Sequence, residues 1–210
     1  MRERMKKLID DILYTVGKTN NYTEAKIAII NNDYKGQYLK QLSEDVNPRV
    51  LEAIINNKFG CYERFINSEY EDVRAAVARV TNEEEILDKL IKDESAIVRV
   101  EVARRGYKLD SLIGDSSNSV RLSIACQGYR PDIFKNDKCA QIRAIVAKQG
   151  YEHAILICDA QDVVRAAVAS STVDEIYIKH LINDTSPLVR SALAVRRYNS
   201  VKFAHDDYYT

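Results

Sequence analysis

The stretch Asp93–Ile113, DESAIVRVEVARRGYKLDSLI, decides the fold because the chain repeats it almost at once. It returns as DSSNSVRLSIACQGYRPDIF from Asp115 and as DKCAQIRAIVAKQGYEHAILI from Asp137. The shared skeleton is an Asp, a Val-Arg or Ile-Arg five residues on, an apolar-Ala pair, Gly-Tyr, and a short apolar segment. Self-similarity at such a period marks a stacked repeat architecture, because one unit alone cannot bury its apolar face.

Working outward, alignment on Arg99 picks out Lys26, Leu51, Arg74, Arg121, Arg143, Arg165 and Arg190, with steps of 22 to 25 residues. An aromatic follows eight residues later as Tyr34, Phe59, Tyr107, Tyr129, Tyr151 and Tyr198. About eight units of 22–25 residues therefore fill residues 21–210 without a linker. The expected fold is all-α, a right-handed α-solenoid. In residues 1–20, Met5, Leu8, Ile9, Ile12, Leu13 and Val16 stand at helical spacing, which predicts an N-terminal capping helix over the open end of the array.

Each unit reads as a longer helix followed by a shorter segment. Val98 and Val102, four apart, define its buried stripe. Asn47, Ser95, Ser117 and Ser186 are N-cap types standing two residues after the unit's Asp. Pro48 and Pro187 follow at the first helical position, where a missing N–H does no harm. Gly106, Gly128 and Gly150 stop the helix. Two 25-residue units replace Gly-Tyr with TNEEEILDKLI and STVDEIYIKHLI. There Thr81 with Glu84, and Thr172 with Glu175, predict capping boxes and second helices of about three turns.

Composition narrows the function. Lys plus Arg (31) balances Asp plus Glu (31), so no overall field recruits nucleic acid. Cys61, Cys126, Cys139 and Cys158 form no C-x-x-C pair, which points to free thiols in a reducing cytoplasm. The opening MRERMKKLIDDILYTV has acids within its apolar part, unlike a secretory signal. No run approaches the ~18 apolar residues of a membrane span. No metal site, cofactor motif, phosphate loop or nucleophile–base spacing stands out, so no enzyme is expected.

Asp93/Arg99, Asp115/Arg121, Asp137/Arg143, Asp159/Arg165 and Asp184/Arg190 repeat at a spacing of six. One reading makes the arginines a row of anion sites. The other, favoured because the pair recurs in every unit, is a structural ladder in which each Arg bonds the Asp of its own or the next unit.

The Asp-to-Arg spacing, with Val before the Arg, resembles the inner-helix start of HEAT repeats. The short period, Val-Arg-x-x-Val-Ala and the brief second element look more like the variant leucine-rich repeat. That family's iron–sulfur segment is not carried over, since residues 1–50 contain no cysteine. HEAT-like metal hydroxylases use His-Glu dipeptides, but His153, His180 and His205 precede Ala, Leu and Asp. HEAT-like DNA glycosylases offer a second reading, as nucleic-acid binders using Arg104, Arg105, Lys148 and Arg196. The absence of Trp and the zero net charge count against it.

Opposite the core stripe, helical geometry collects Arg79, Val100, Arg104, Leu122, Ile145 and Lys148, together with small residues such as Ala75, Ala76, Ala166 and Ala167. This face is apolar either because neighbouring helices crowd it or because it is a groove for a protein partner, with Arg79, Arg104 and Lys148 orienting the bound segment. The tail FAHDDYYT, residues 203–210, reads as a C-terminal cap or a recognition segment.

Overall fold

A computed structural model describes residues 22–32, 42–58 and 62–195, and no strand occurs among them. The expected N-terminal cap and the tail lie outside the described residues. Contacts divide the chain into two compact units, Met1–Lys108 and Leu109–Thr210.

In the first unit the helices are α1 (Tyr22–Asn32), α2 (Pro48–Asn56), α3 (Glu71–Val80), α4 (Glu84–Leu90) and α5 (Ala96–Arg104), with a 3₁₀ turn at Tyr62–Arg64. The main helices pack in sequence order, α1 on α2, α2 on α3 and α3 on α5, while α4 touches α3 and α5. The second unit opens with a 3₁₀ turn, Leu109–Ser111. It continues with α6 (Asn118–Ala125), α7 (Pro131–Phe134), α8 (Ala140–Lys148), α9 (His153–Leu156), α10 (Asp162–Ser171) and α11 (Glu175–Leu181). A last main helix, α12, runs over residues 187–195. Here α8 packs on α6 and α10, and the short helices α7 and α9 lean on α8.

The stripe read from Val98 and Val102 holds throughout. Val73, Val98, Val120, Ile142, Val164 and Val189 are all fully buried. Ala78, Ala103, Ala125, Ala147 and Ala169, four residues after each Arg, are buried as well. A methyl side chain there lets consecutive main helices approach closely. At one equivalent position each second segment adds a large buried residue, Leu90, Leu112, Phe134, Leu156 or Leu181, joined in some by others such as Ile86, Leu87, Leu109 and Ile157.

Helix starts follow the expected caps. The side chains of Asn47, Ser95 and Ser117 accept from the N–H two residues on, and Pro48 begins α2. Ser186 does the same for Leu188. Gly106, Gly128 and Gly150 have positive φ, the left-handed turn that ends each helix. The residues two further on, Lys108, Arg130 and Glu152, also have positive φ, although none is glycine.

Two expectations fail. Thr81 and Thr172 do not open capping boxes. Each is the extended C-cap of the preceding helix, and its hydroxyl accepts the N–H of Glu83 or Asp174. A buried Thr at a helix end is drawn to this local turn, so the cap falls on Glu83 and Asp174 instead. The second helices α4 and α11 are accordingly seven residues long, two turns rather than three.

Candidate functional site

The arginine ladder is the best-defined polar construction in the chain, and its bonds run between successive repeats. Arg74 sits on the first turn of α3, where its side chain reaches the loop before α5. Its Nε and Nη2 donate to the two carboxylate oxygens of Asp93 at 2.7 and 2.9 Å, and Nη1 donates to the carbonyl of Ser68 at 2.7 Å. Arg121 repeats this on Asp137 at 2.7 and 3.0 Å, with Nη1 on the carbonyl of Asp115. Arg143 forks onto Asp159 and the carbonyl of Asp137. Arg165 forks onto Asp184 and the carbonyl of Asp159. Arg99 and Arg190 make the same Nη1 bond, to the carbonyls of Asp93 and Asp184.

Each of the Arg74, Arg121, Arg143 and Arg165 guanidiniums thus clamps two loops. The carboxylate it holds belongs to the next repeat, and the carbonyl belongs to its own. The same aspartates turn inward to the chain: Asp93, Asp115, Asp137, Asp159 and Asp184 each accept the N–H two residues on, at the start of the following helix. These bidentate, charge-assisted bonds are the strong kind.

The charges respond accordingly. Burial pushes the Asp137 carboxyl up, but the bonds from Arg121 and the Cys139 N–H outweigh it and hold it below the ordinary range. Arg143 holds Asp159 low, and Arg165 holds Asp184 low. The Arg121 and Asp137 side chains are only 5% and 6% exposed, so this pair is largely dry. Arg74, Arg121, Arg143 and Arg165 are therefore occupied internally and do not form a row of open anion sites.

The degenerate first repeats show what the ladder tolerates. Lys26 replaces the first arginine and still pairs with Asp45. In the next repeat Leu51 and Ser68 replace the arginine and the aspartate together. Leu51 is buried, and Ser68 keeps only the turn bond, accepting the N–H of Tyr70. Losing both partners leaves no buried charge unpaired.

A second set of contacts escaped the sequence reading. Tyr107 and Lys108 both bond Asp88, nineteen and twenty residues back. In the other unit Asp110 faces Tyr129, whose hydroxyl it pushes above the ordinary value, and lies 3.8 Å from Arg130. The signal was present: Asp88, Asp110 and Asp132 recur 22 apart, two residues before the buried Leu90, Leu112 and Phe134. Arg130 departs from the pattern by also holding Asp132 two residues on.

The face opposite the core is more crowded than helical geometry alone implies. Ala75, Ala76, Ala144, Ala166 and Ala167 are buried. Val100, Leu122 and Ile145 are half-buried, and Arg79, Arg104 and Lys148 are exposed. In the first unit Glu101, itself buried, pairs with Arg104 at 2.9 Å and lies 3.6 Å from Arg79, which also faces Glu52. Arg105 spends its guanidinium on the carbonyl of Arg79 and on Asn82. In the second unit exposed aliphatic side chains stand on the first turns of α10 and α12, at Val163 and Leu188, beyond Ile145 and Leu122.

One Ser–His contact exists that spacing did not reveal. His153 Nε2 lies 3.1 Å from Ser171 Oγ and 2.8 Å from the carbonyl oxygen of Ala147. A carbonyl only accepts, so Nε2 carries a hydrogen and takes no proton from the serine. The pair ties the end of α8 to α10. Among the described residues no cluster of three His, Cys, Asp or Glu could hold a metal ion. No helix among them is long and apolar enough to cross a membrane.

No protein-family model matches the sequence, and no curated protein matches it. Among solved structures the chain is similar to a leucine-rich repeat variant with a repetitive structural motif. The TM-score is 0.54, with 23% identity over 83% of each chain. At that identity the likeness carries the fold alone, and the fold is an all-α array of short repeats.

Proposed function

We propose that the chain is a non-catalytic, cytoplasmic scaffold that binds a protein segment along the face of its main helices. The observation that carries this is the run of Leu122, Ile145, Val163 and Leu188 on successive helices of the second unit, apolar and at least partly open to solvent. Contiguous apolar surface of this sort marks interaction sites. Arg121, Arg143 and Arg165 of these helices are committed to the ladder, which leaves shape and apolar area to do most of the binding. The exposed free thiols of Cys126 and Cys158 support a reducing compartment. The spacing of six from Asp93 to Arg99, with Val98 before the arginine, supports kinship with HEAT-like repeats. A nucleic-acid role draws less support, because Arg104 and Arg105 are already engaged by Glu101 and by Arg79 and Asn82.

A second surface competes on one observation: Val173 and Ile176 on the short-helix side are 82% and 73% exposed. The test uses the chain as bait in lysate from its source cells, with proteins quantified by mass spectrometry. Ile145→Glu and Val100→Glu are expected to lower recovery of a specific partner about tenfold or more, with helical content unchanged. Val173→Glu is expected to keep it. Full retention by both main-helix variants, or loss only with Val173→Glu, contradicts the assignment.

A further inference from the structure

Two helices of the short-helix row fill the same slot in their repeats and are finished differently. Both α4 and α11 follow a buried Thr, Thr81 or Thr172. Each ends on a buried Leu three residues before a ladder aspartate, Leu90 before Asp93 and Leu181 before Asp184. On its outward side α4 is polar, with Asn82 and Glu85 exposed. Their counterparts in the second unit are Val173 and Ile176, 82% and 73% exposed. The slot therefore does not require an apolar residue at either position, and packing within the repeat does not account for the pair.

The charges beside that face change as well. In α4 they are Glu84 and Asp88, both acidic, and Asp88 is taken up by Tyr107 and Lys108. In α11 the equivalent residues are Glu175 and Lys179, whose side chains are 83% and 79% exposed and stand 3.9 Å apart. Residues four apart lie on one flank of a helix, so this acid and base sit side by side along Ile176.

We propose that α11 is a self-association site, across which the same helix of a second copy lies antiparallel. A two-fold axis at the level of Tyr177 sets Glu175 of each copy opposite Lys179 of the other. Ile176 of the two copies then meet beside the axis, and Val173 extends the apolar strip. The occupant is a second copy because the face is complementary to itself: acid and base stand equally far from that axis. The same pairing of α4 sets Glu84 against Asp88, and like charges so placed reject a partner. With two strongly exposed apolar side chains per copy, the contact falls well below the ~1,200 Å² of a standard interface, so the dimer is weak and forms by mass action. This face is separate from the main-helix face assigned to a protein segment, and the proposal does not rest on that assignment.

Sedimentation velocity of the full chain over about a hundredfold range of concentration tests this. The parent is expected to shift from monomer to dimer as concentration rises. Ile176→Glu, which copies Glu85 of α4, is expected to weaken dimerisation about tenfold or more with helical content unchanged. Glu175→Lys and Lys179→Glu each set like charges together and are expected to dimerise more weakly than the parent. Mixed, the two are expected to form a heterodimer, because every charge then meets its opposite. Ile145→Glu, on the main-helix face, is expected to dimerise as the parent does. A parent that stays monomeric throughout overturns the proposal. So does a dimer that survives Ile176→Glu or dissolves in Ile145→Glu, or a mixture of the charge variants that gains nothing over either alone.

Discussion

Arg121→Ala is expected to lower the unfolding free energy by about 3–5 kcal/mol, as removing one member of a buried ion pair does. The variant leaves Asp137 in place, 6% exposed, without the guanidinium that holds its charge. It also removes the Nη1 bond to the carbonyl of Asp115. Urea denaturation followed by circular dichroism measures the loss. The pH profile supplies a second reading. Asp137, Asp159 and Asp184 have carboxyls held below their ordinary values in the folded chain. The stability they add is therefore complete above the unfolded value of about 3.9, and is lost as pH falls through the lower folded values. Arg121→Ala is expected to flatten that acid limb, because the carboxyl of Asp137 no longer differs as much between the two states. A variant as stable as the parent, with an unchanged acid limb, contradicts the ladder's role.

The second large effect belongs to the short-helix row. Phe134 is the largest fully buried side chain among the described residues, 1% exposed, and it stands on α7, a helix of only four residues. So short a helix has almost no stability of its own, and it stays folded because Phe134 packs toward the main helices. Phe134→Ala is expected to cost about 3–5 kcal/mol through lost burial and the cavity it leaves. Phe134→Leu copies the residue found at Leu112 and Leu156, and is expected to cost under about 1.5 kcal/mol. Denaturation of the two variants side by side checks both figures. A loss below about 1 kcal/mol in Phe134→Ala means the second row is not holding the repeat.

Sequence legibility followed locality. The caps at Asn47, Ser95 and Ser117, the turns at Gly106, Gly128 and Gly150, and the stripe through Val98 and Val102 were all readable, since each depends on residues within two turns. The ladder was readable as a pattern but ambiguous as a contact. Asp93 and Arg99 draw the eye at a spacing of six, whereas the Arg74 carboxylate partner is nineteen residues on. The local spacing records something else, the Arg99 bond to the carbonyl of Asp93. Thr81 misled because its capping-box spacing to Glu84 is a local coincidence, while its burial at the end of α3 is tertiary. The opposite face misled for the same reason. Helical angle places Ala76 and Ala167 away from the core stripe, but adjacent main helices bury them. The Tyr107–Asp88 contact was missed because only its aromatic half was aligned.

A double-mutant cycle on Arg143 and Asp159 tests the central claim most directly. The substitutions are Arg143→Leu and Asp159→Ser, the pair that Leu51 and Ser68 already install elsewhere in the chain. If repeats are joined by this fork, each single variant loses several kcal/mol and the double variant recovers much of it, with a coupling of about 1.5–3 kcal/mol. Single losses that simply add, to within about 0.5 kcal/mol, would mean that the two residues act independently and that the repeats are held together by apolar packing alone.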